Sequence, residues 1–376
     1  MKHDWEYKKL AEVCDVLYGC PFDSSLFTEN TDCMPLIRIR DIKNSFTETF
    51  YKGTYSNEYV ITKGDFLVGM DGEFNVCEWK GIDALLNQRV CKISSKNENF
   101  LNRRFLYWSL PLQLKQIEDL TPFVTVKHLS AKKIANIKIP QIPLKSQILI
   151  AEELDTLSGI ITDCKETLKD YDALEQSIFY DMFGDPVKNE KGWEVKKLGE
   201  VAFAQNGLVS PTEEPYCEMI HVGPANIVSG TGELINLKTA KDENLISGKY
   251  LFDKDMILYS KIRPNLNKLT SAKFQGLCSA DMYPIICGEL LNPYYLASVL
   301  RHKRFLSYAI ENSGRANIPK INREALFQFE MHLPPLPLQQ AFASKIEAIE
   351  QMKEETKKAL QEAETLFQAR MDYWFN

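Results

Sequence analysis

The chain has 376 residues, 44% of them hydrophobic and 26% charged, with a net charge of −6; that is room for two cored domains of ordinary globular composition. No apolar run is long enough to cross a membrane, and the opening Met1-Lys2-His3-Asp4-Trp5 lacks the apolar core of a secretory signal. Nine scattered cysteines without a Cys-x-x-Cys pair, and five histidines without ligand spacing, read as reduced thiols in a cytoplasmic protein, with no disulfide framework and no metal site.

In chain order, a Trp-anchored segment, Trp5-Glu6-Tyr7-Lys8-Lys9-Leu10-Ala11-Glu12-Val13, comes first. Short β-type runs follow, such as residues 35–39, broken by Gly and Asn turns. A short helix is predicted over 101–114, then a proline-flanked strand over 134–143, where Pro fixes φ and removes a donor. Next comes a long helix, residues 147–183, roughly 55 Å at 1.5 Å per residue. Its apolar residues Ile150, Leu154, Leu157, Ile161, Cys164, Leu168 and Tyr171 alternate in steps of four and three, the seam of a coiled coil. Gly184-Asp185-Pro186 stops it.

The plan then restarts. Trp193-Glu194-Val195-Lys196-Lys197-Leu198-Gly199-Glu200-Val201 matches the opening segment at seven of nine positions, offset by 188. A β-type run at 255–259, a helix over 293–310, a strand over 327–337 and a long helix over 340–375 complete the second copy. Leu101-Asn102 returns as Leu291-Asn292, and Ile139-Pro140-Gln141-Ile142-Pro143-Leu144 as Leu333-Pro334-Pro335-Leu336-Pro337-Leu338. Order and near-constant spacing over half a chain mean a tandem duplication. The second helix carries Phe342, Ile346, Ile349, Leu360, Ala363, Phe367 and Trp374 on its seam, and departs from it at Lys353 and Thr356.

Charge divides unevenly among these parts. Residues 144–190 hold 11 acidic against 4 basic side chains, whereas 3–140 balance at 18 each and 191–333 hold 17 basic against 15 acidic. The globular blocks are therefore neutral to slightly basic, which permits contact with phosphates.

A globular half, a Pro-Pro-Leu-type turn with a following Gln, a long helix, and the whole repeated: the chain resembles the specificity subunits of type I DNA restriction–modification systems. The resemblance rests on Trp193 to Val201, on Leu333-Pro334-Pro335-Leu336-Pro337-Leu338-Gln339-Gln340, and on the helix endings Ser177-Ile178-Phe179-Tyr180-Asp181-Met182-Phe183-Gly184 and Ala363-Glu364-Thr365-Leu366-Phe367. It covers essentially the whole chain. The first half departs from the pattern where an extra residue precedes Gln147. The resemblance implies an α+β fold: two mixed α/β target recognition domains separated by two long antiparallel coiled-coil helices, with an internal pseudo-twofold repeat. The domains are expected at 1–143 and 187–337, and the helices at 144–186 and 338–376. It also implies a non-catalytic protein without cofactors that reads a bipartite site in double-stranded DNA. Methyltransferase subunits and a restriction/translocase subunit are the expected partners, and no membrane is involved.

Two segments resemble catalytic sets. Asn292-Pro293-Tyr294-Tyr295 approaches the loop of amino-methyltransferases, but a helix start accounts for it and no Gly-rich cofactor loop lies upstream. Glu78-Trp79-Lys80 with Asp65 or Asp71 mimics a nuclease metal site, yet the second half has no equivalent. No phosphate-cradling Gly-x-x-x-x-Gly-Lys-Ser/Thr loop exists. The alternative, a self-contained methyltransferase or nuclease, has no room in a chain filled by its duplication. A coiled-coil adaptor without a DNA role leaves the globular halves unexplained. For base reading, Arg and Lys suit guanine and Asn and Gln suit adenine. The candidates are Arg38, Arg40, Asn44, Arg89, Lys127 and His128 in the first half, with Arg38 and Arg40 expected on one strand face. In the second they are His221, Asn226, Lys261, Arg263, Arg315, Asn317 and Lys320. The cluster Arg301-His302-Lys303-Arg304 is assigned to phosphate, at a helix C-terminal end.

Overall fold

The computed structural model describes residues 5–121, 127–314 and 317–376. It divides into two compact units: residues 1–165 with 358–376, and residues 166–357. Both long helices are unbroken for 40 residues, Leu144–Phe183 and Leu336–Phe375, each starting a few positions earlier than the seam alone suggests. The division falls inside them, so each unit holds one globular half, the beginning of one helix and the end of the other.

The two units share one plan, with an extra edge strand, Phe27–Thr28, in the first. In the first, Glu6–Lys9 pairs antiparallel with Lys138–Gln141, and in the second Glu194–Lys197 pairs with Glu330–Leu333. The Trp-anchored motifs thus form the first strand of each half, zipped to its last. Directly after that strand comes a single helical turn that buries Leu10 and Val13, or Leu198 and Val201. Each unit also has a four-stranded antiparallel sheet. Its order is Cys14–Tyr18, Val90–Ser95, Phe66–Gly69, Val76–Glu78 in one, and Ala202–Ala204, Met282–Cys287, Ile257–Ser260, Leu269–Ser271 in the other. A second sheet contains one parallel pair, Met34–Ile37 with Ala84–Leu86, or Ile220–Val222 with Gly276–Cys278.

Several expected boundaries shift. The proline-flanked strands are shorter than predicted, because Ser130 and Asn322 cap one-turn helices, Ala131–Ala135 and Arg323–Phe327, in front of them. The helix expected over 293–310 is two, Pro293–Arg301 and Lys303–Glu311, broken at His302, whose extended backbone ends one while its ring caps the other.

The largest core of each unit closes around both helices. Leu10, Phe105, Leu106, Ile150 and Leu154 are buried with Met371 in the first unit, with Phe367, Trp374 and Phe375 packed on them. Leu198, Tyr295, Phe342 and Ile346 are buried with Phe179 and Phe183 in the second. The helices run antiparallel within each unit. Arg370 Nη2 donates to Glu153 at 2.9 Å and Lys165 meets Glu364 at 2.7 Å in the first unit. In the second, Lys353 Nζ donates to both Asp172 and Glu175 at 2.7 Å. The seam departure at Lys353 is therefore an interhelical ion pair in a seam position, a device that fixes register at some cost in stability. Thr356 turns its hydroxyl back to the Met352 carbonyl.

Two buried glutamines join each globular half to its outgoing helix. Gln147 accepts from the Asn102 amide at 2.8 Å and donates to the carbonyls of Phe100 and Ile142. Gln339 accepts from Asn292 N at 2.8 Å and donates to Leu290 and Pro334. The Pro-rich turn followed by Gln is this latch, built twice. The extra residue expected before Gln147 is not there: each latch follows the last residue of its strand, Gln141 or Leu333, at the same spacing and donates to the carbonyl at the same place in the turn.

Candidate nucleic-acid interface

Most of the candidate side chains converge on one loop cluster in each unit. In the first unit the chain leaving Phe66–Gly69 is tied by three backbone bonds: Met70 N to Arg89 O at 2.9 Å, Leu129 N to Met70 O at 2.7 Å, and Gly72 N to Lys127 O at 2.9 Å. Those bonds bring Arg89, Lys127 and His128 together around Asp71. The Asp71 carboxylate takes the His128 Nδ1 proton at 2.6 Å and lies 3.4 Å from Arg89 Nε. Lys127 Nζ sits 3.7 Å from Glu118.

The second unit repeats the three links with different side chains. Lys261 N bonds Asp281 O at 3.0 Å, Ile321 N bonds Lys261 O at 3.0 Å, and Arg263 N bonds Pro319 O at 2.7 Å. Arg263, Asn317 and Lys320 are exposed here. Lys261 is partly covered, with its Nζ donating to the Ala280 carbonyl and lying over the Tyr283 ring. Burial lowers its pKa; Asp281 opposes that shift, and the positive charges of Lys320 and Arg323 add to it. Cations crowded this way gain from an arriving phosphate. Arg315 lies outside the described residues.

The remaining first-unit candidates sit in the turns after Met34–Ile37. Arg38 and Arg40 do not share a strand face, because the strand ends at Ile37. Instead Arg38 N bonds Asp41 Oδ2 at 2.8 Å and its guanidinium covers Phe27, while Arg40 lies 3.6 Å from Asp41. Arg40 and Asn44 are exposed. Lys43 pairs with Glu73 at 2.6 Å, which anchors these turns beside the Asp71 loop.

His221 and Asn226 leave the candidate set. Asn226 is buried, its Oδ1 accepting from Gly223 N at 2.8 Å and its amide donating to the carbonyls of Ile235 and Asn236. Both amide protons are spent inside the fold, and its place matches Asp41, which caps Arg38 N in the same way. His221 is buried in a strand, with Nδ1–H donating to Glu243 at 2.7 Å. Burial holds its pKa below the ordinary value, Glu243 opposes that shift, and Lys249 reinforces it.

The Arg301-His302-Lys303-Arg304 cluster also turns largely inward. Burial lowers the Arg301 pKa while the carboxylates of Glu175, Glu350 and Asp172 raise it, His302 meets the Tyr180 hydroxyl at 2.8 Å, and Arg304 covers Phe329. Side chains that resembled catalytic sets are likewise engaged. Glu78 pairs with Arg104 at 2.7 Å, Asp65 with Lys92 at 3.2 Å, and Asn292 caps the helix at Tyr294 N. Among the described residues, three potential metal ligands gather at Glu214, Cys217 and Glu218, a surface group without histidine. None of the helices searched is long and apolar enough to cross a membrane.

Sequence reasoning missed Asp71 as a partner of Arg89 and His128, along with Asp281 and Arg323. These contacts join positions far apart in the chain; aligning the two halves residue by residue was the one available signal.

Comparison with known proteins agrees with this architecture. A family model described as the type I restriction modification DNA specificity domain matches residues 2–171 and again 190–365. The chain is 42% identical over 168 residues to the type I restriction enzyme EcoBI specificity subunit of Escherichia coli, an alignment covering 44% of this chain but 35% of that relative. It is 27% identical over 329 residues to the EcoDI specificity subunit of the same organism, covering 78% of this chain and 72% of the relative. The crystal structure of a type I restriction–modification S subunit from M. genitalium superposes with a TM-score of 0.65 at 13% identity, covering 98% of this chain and 95% of that one. With its domain present twice, this chain belongs to the type I restriction–modification DNA specificity family.

Proposed function

We propose that each unit reads one half of a split sequence in double-stranded DNA, that the two long helices set the gap between the half-sites, and that the chain is a non-catalytic subunit. The observation that carries this reading is the doubled loop cluster. One set of three backbone links presents Arg89, Lys127 and His128 in one unit, and Lys261, Arg263, Asn317 and Lys320 in the other. Two similar readers joined by the same pair of helices would select a fixed half-site spacing, as symmetric DNA binders do. The acidic stretch over 144–190 offers a docking face for methyltransferase subunits, with a restriction/translocase subunit joining the same complex in the cytoplasm.

Co-expression with its modification subunits in a host lacking DNA methylation, followed by sequencing of modified bases, tests the reading. The expected result is one split motif with methylated adenines and an invariant gap. A continuous motif, or robust methyl transfer by the isolated chain with S-adenosylmethionine, would sink it.

A further inference from the structure

Both loop clusters hold an arginine in the left-handed backbone region, Arg89 at φ 74° and Arg263 at φ 48°. Residues other than glycine rarely adopt that conformation, and where they do the surroundings must enforce it, most often at functional sites. At Arg89 the enforcement is visible: its carbonyl is held by Met70 N, and its side chain by a carboxylate that also holds a histidine. The arginine remains 54% exposed.

We propose that Arg89 reads a guanine in the first half-site, and that Asp71 and His128 are the positioning residues that aim it. The proposal rests on the half-site reading above. Asp71 occupies the Nε side of the guanidinium at 3.4 Å and His128 Nδ1 lies 3.4 Å from Nη1, so the donors left for a ligand are Nη2 and the second Nη1 proton. In the major groove guanine alone displays two acceptors, N7 and O6, spaced for paired donors of this kind. A free arginine would spread its contacts over neighbouring phosphates; one tethered by a carboxylate loses that freedom and gains selectivity. His128 spends Nδ1–H on the same carboxylate, and its ring stays 47% exposed beside Arg89. Among the described residues the second unit has no counterpart of this contact. By the matching backbone links, Asp281 stands in the place of Arg89, and a carboxylate offers only acceptors.

The test uses the full chain with its modification subunits and duplexes carrying the split motif. Replacing guanines of the first half-site one at a time by 7-deazaguanine removes N7. At one position wild-type binding should fall about tenfold or more, the scale of a lost bidentate base contact. Arg89→Gly should bind guanine and 7-deazaguanine duplexes equally at that position, with every other position read as before. Its unfolding temperature should hold or rise, since glycine adopts the left-handed conformation without strain. Asp71→Asn should show an intermediate loss at the same position alone. Two outcomes overturn the proposal: Arg89→Gly weakening all sequences alike, which marks a phosphate contact, or a first half-site whose guanines all tolerate 7-deaza substitution. A wild-type complex with no split motif would defeat the half-site reading itself, a different result.

Discussion

At the scale of residues, Gln147 and Gln339 show how one amide can organise a junction. Each satisfies one backbone donor and two backbone acceptors in a dry corner. Gln339→Leu keeps the volume but strands Asn292 N and the carbonyls of Leu290 and Pro334. With about 1–3 kcal/mol for each buried group left unpaired, and partial relief by water, the variant should lose about 3 kcal/mol. For a unit of this size that is a fall of about 10 °C in unfolding temperature, measurable by calorimetry; a shift under a few degrees would remove the latch from the account. The glutamines were legible as motif members but not as latches, because residue type states bonding capacity and not the partner. Asn226 teaches the same lesson in reverse. An asparagine in a polar loop has the donors and acceptors to read adenine, and here Ile235 and Asn236 take both amide protons while Gly223 N engages Oδ1.

Among the elements, the long helices were the most legible, since a four-three seam needs only local spacing to declare itself. The strands were harder. The parallel pairs join Leu36 to Leu85 and His221 to Leu277, far apart in the chain, and strands of two residues such as Phe27–Thr28 and Lys238–Thr239 leave no pattern to read. Ties between globular half and helix were invisible for the same reason: Arg104 bonds Asp155 bidentately while Trp108 Nε1 donates to the same carboxylate at 2.9 Å, and Lys273 bridges Tyr294 and Glu350. Removing one heptad from each helix, at matching seam positions, tests the role proposed for them. The rise of 1.5 Å per residue brings the readers about 10 Å closer, which at 3.4 Å per base pair shortens the recognised gap by about three base pairs. Sequencing the modified bases gives the new gap directly. An unchanged gap at full activity would mean that the partner subunits set the spacing.

On the scale of the whole molecule the units should differ in their response to acid. His221, His302 and His332, all in residues 166–357, have their pKa lowered by burial, with Lys249 adding to the effect at the first, Lys303 at the second and Arg304 at the third. Below the ordinary value of 6.5 the unfolded chain takes up protons that the folded unit refuses, so stability falls as pH drops through 6.5. Between pH 7.5 and 5.5 the second unit should soften while carboxylates stay ionised. Proteolysis along a temperature ramp, with the cut sites mapped, should show cleavage within 166–357 advancing to lower temperature at pH 5.5, by more than cleavage within 5–165. Equal shifts in the two units would contradict this.

The division of the chain through both helices has a consequence for the order of events on the ribosome. Everything in the second unit lies between residues 166 and 357, so its core can close as soon as that stretch has emerged. The first unit is translated earlier but finished later, because Met371, Phe367, Trp374 and Phe375 belong to the core built around Phe105, Leu106 and Leu154. Contacts of such long sequence separation are slow to form, and until they form the nascent first unit exposes apolar surface of the kind that recruits chaperones. A frameshift or stop a dozen residues short of Asn376 would therefore cripple the domain encoded first and spare the one encoded last.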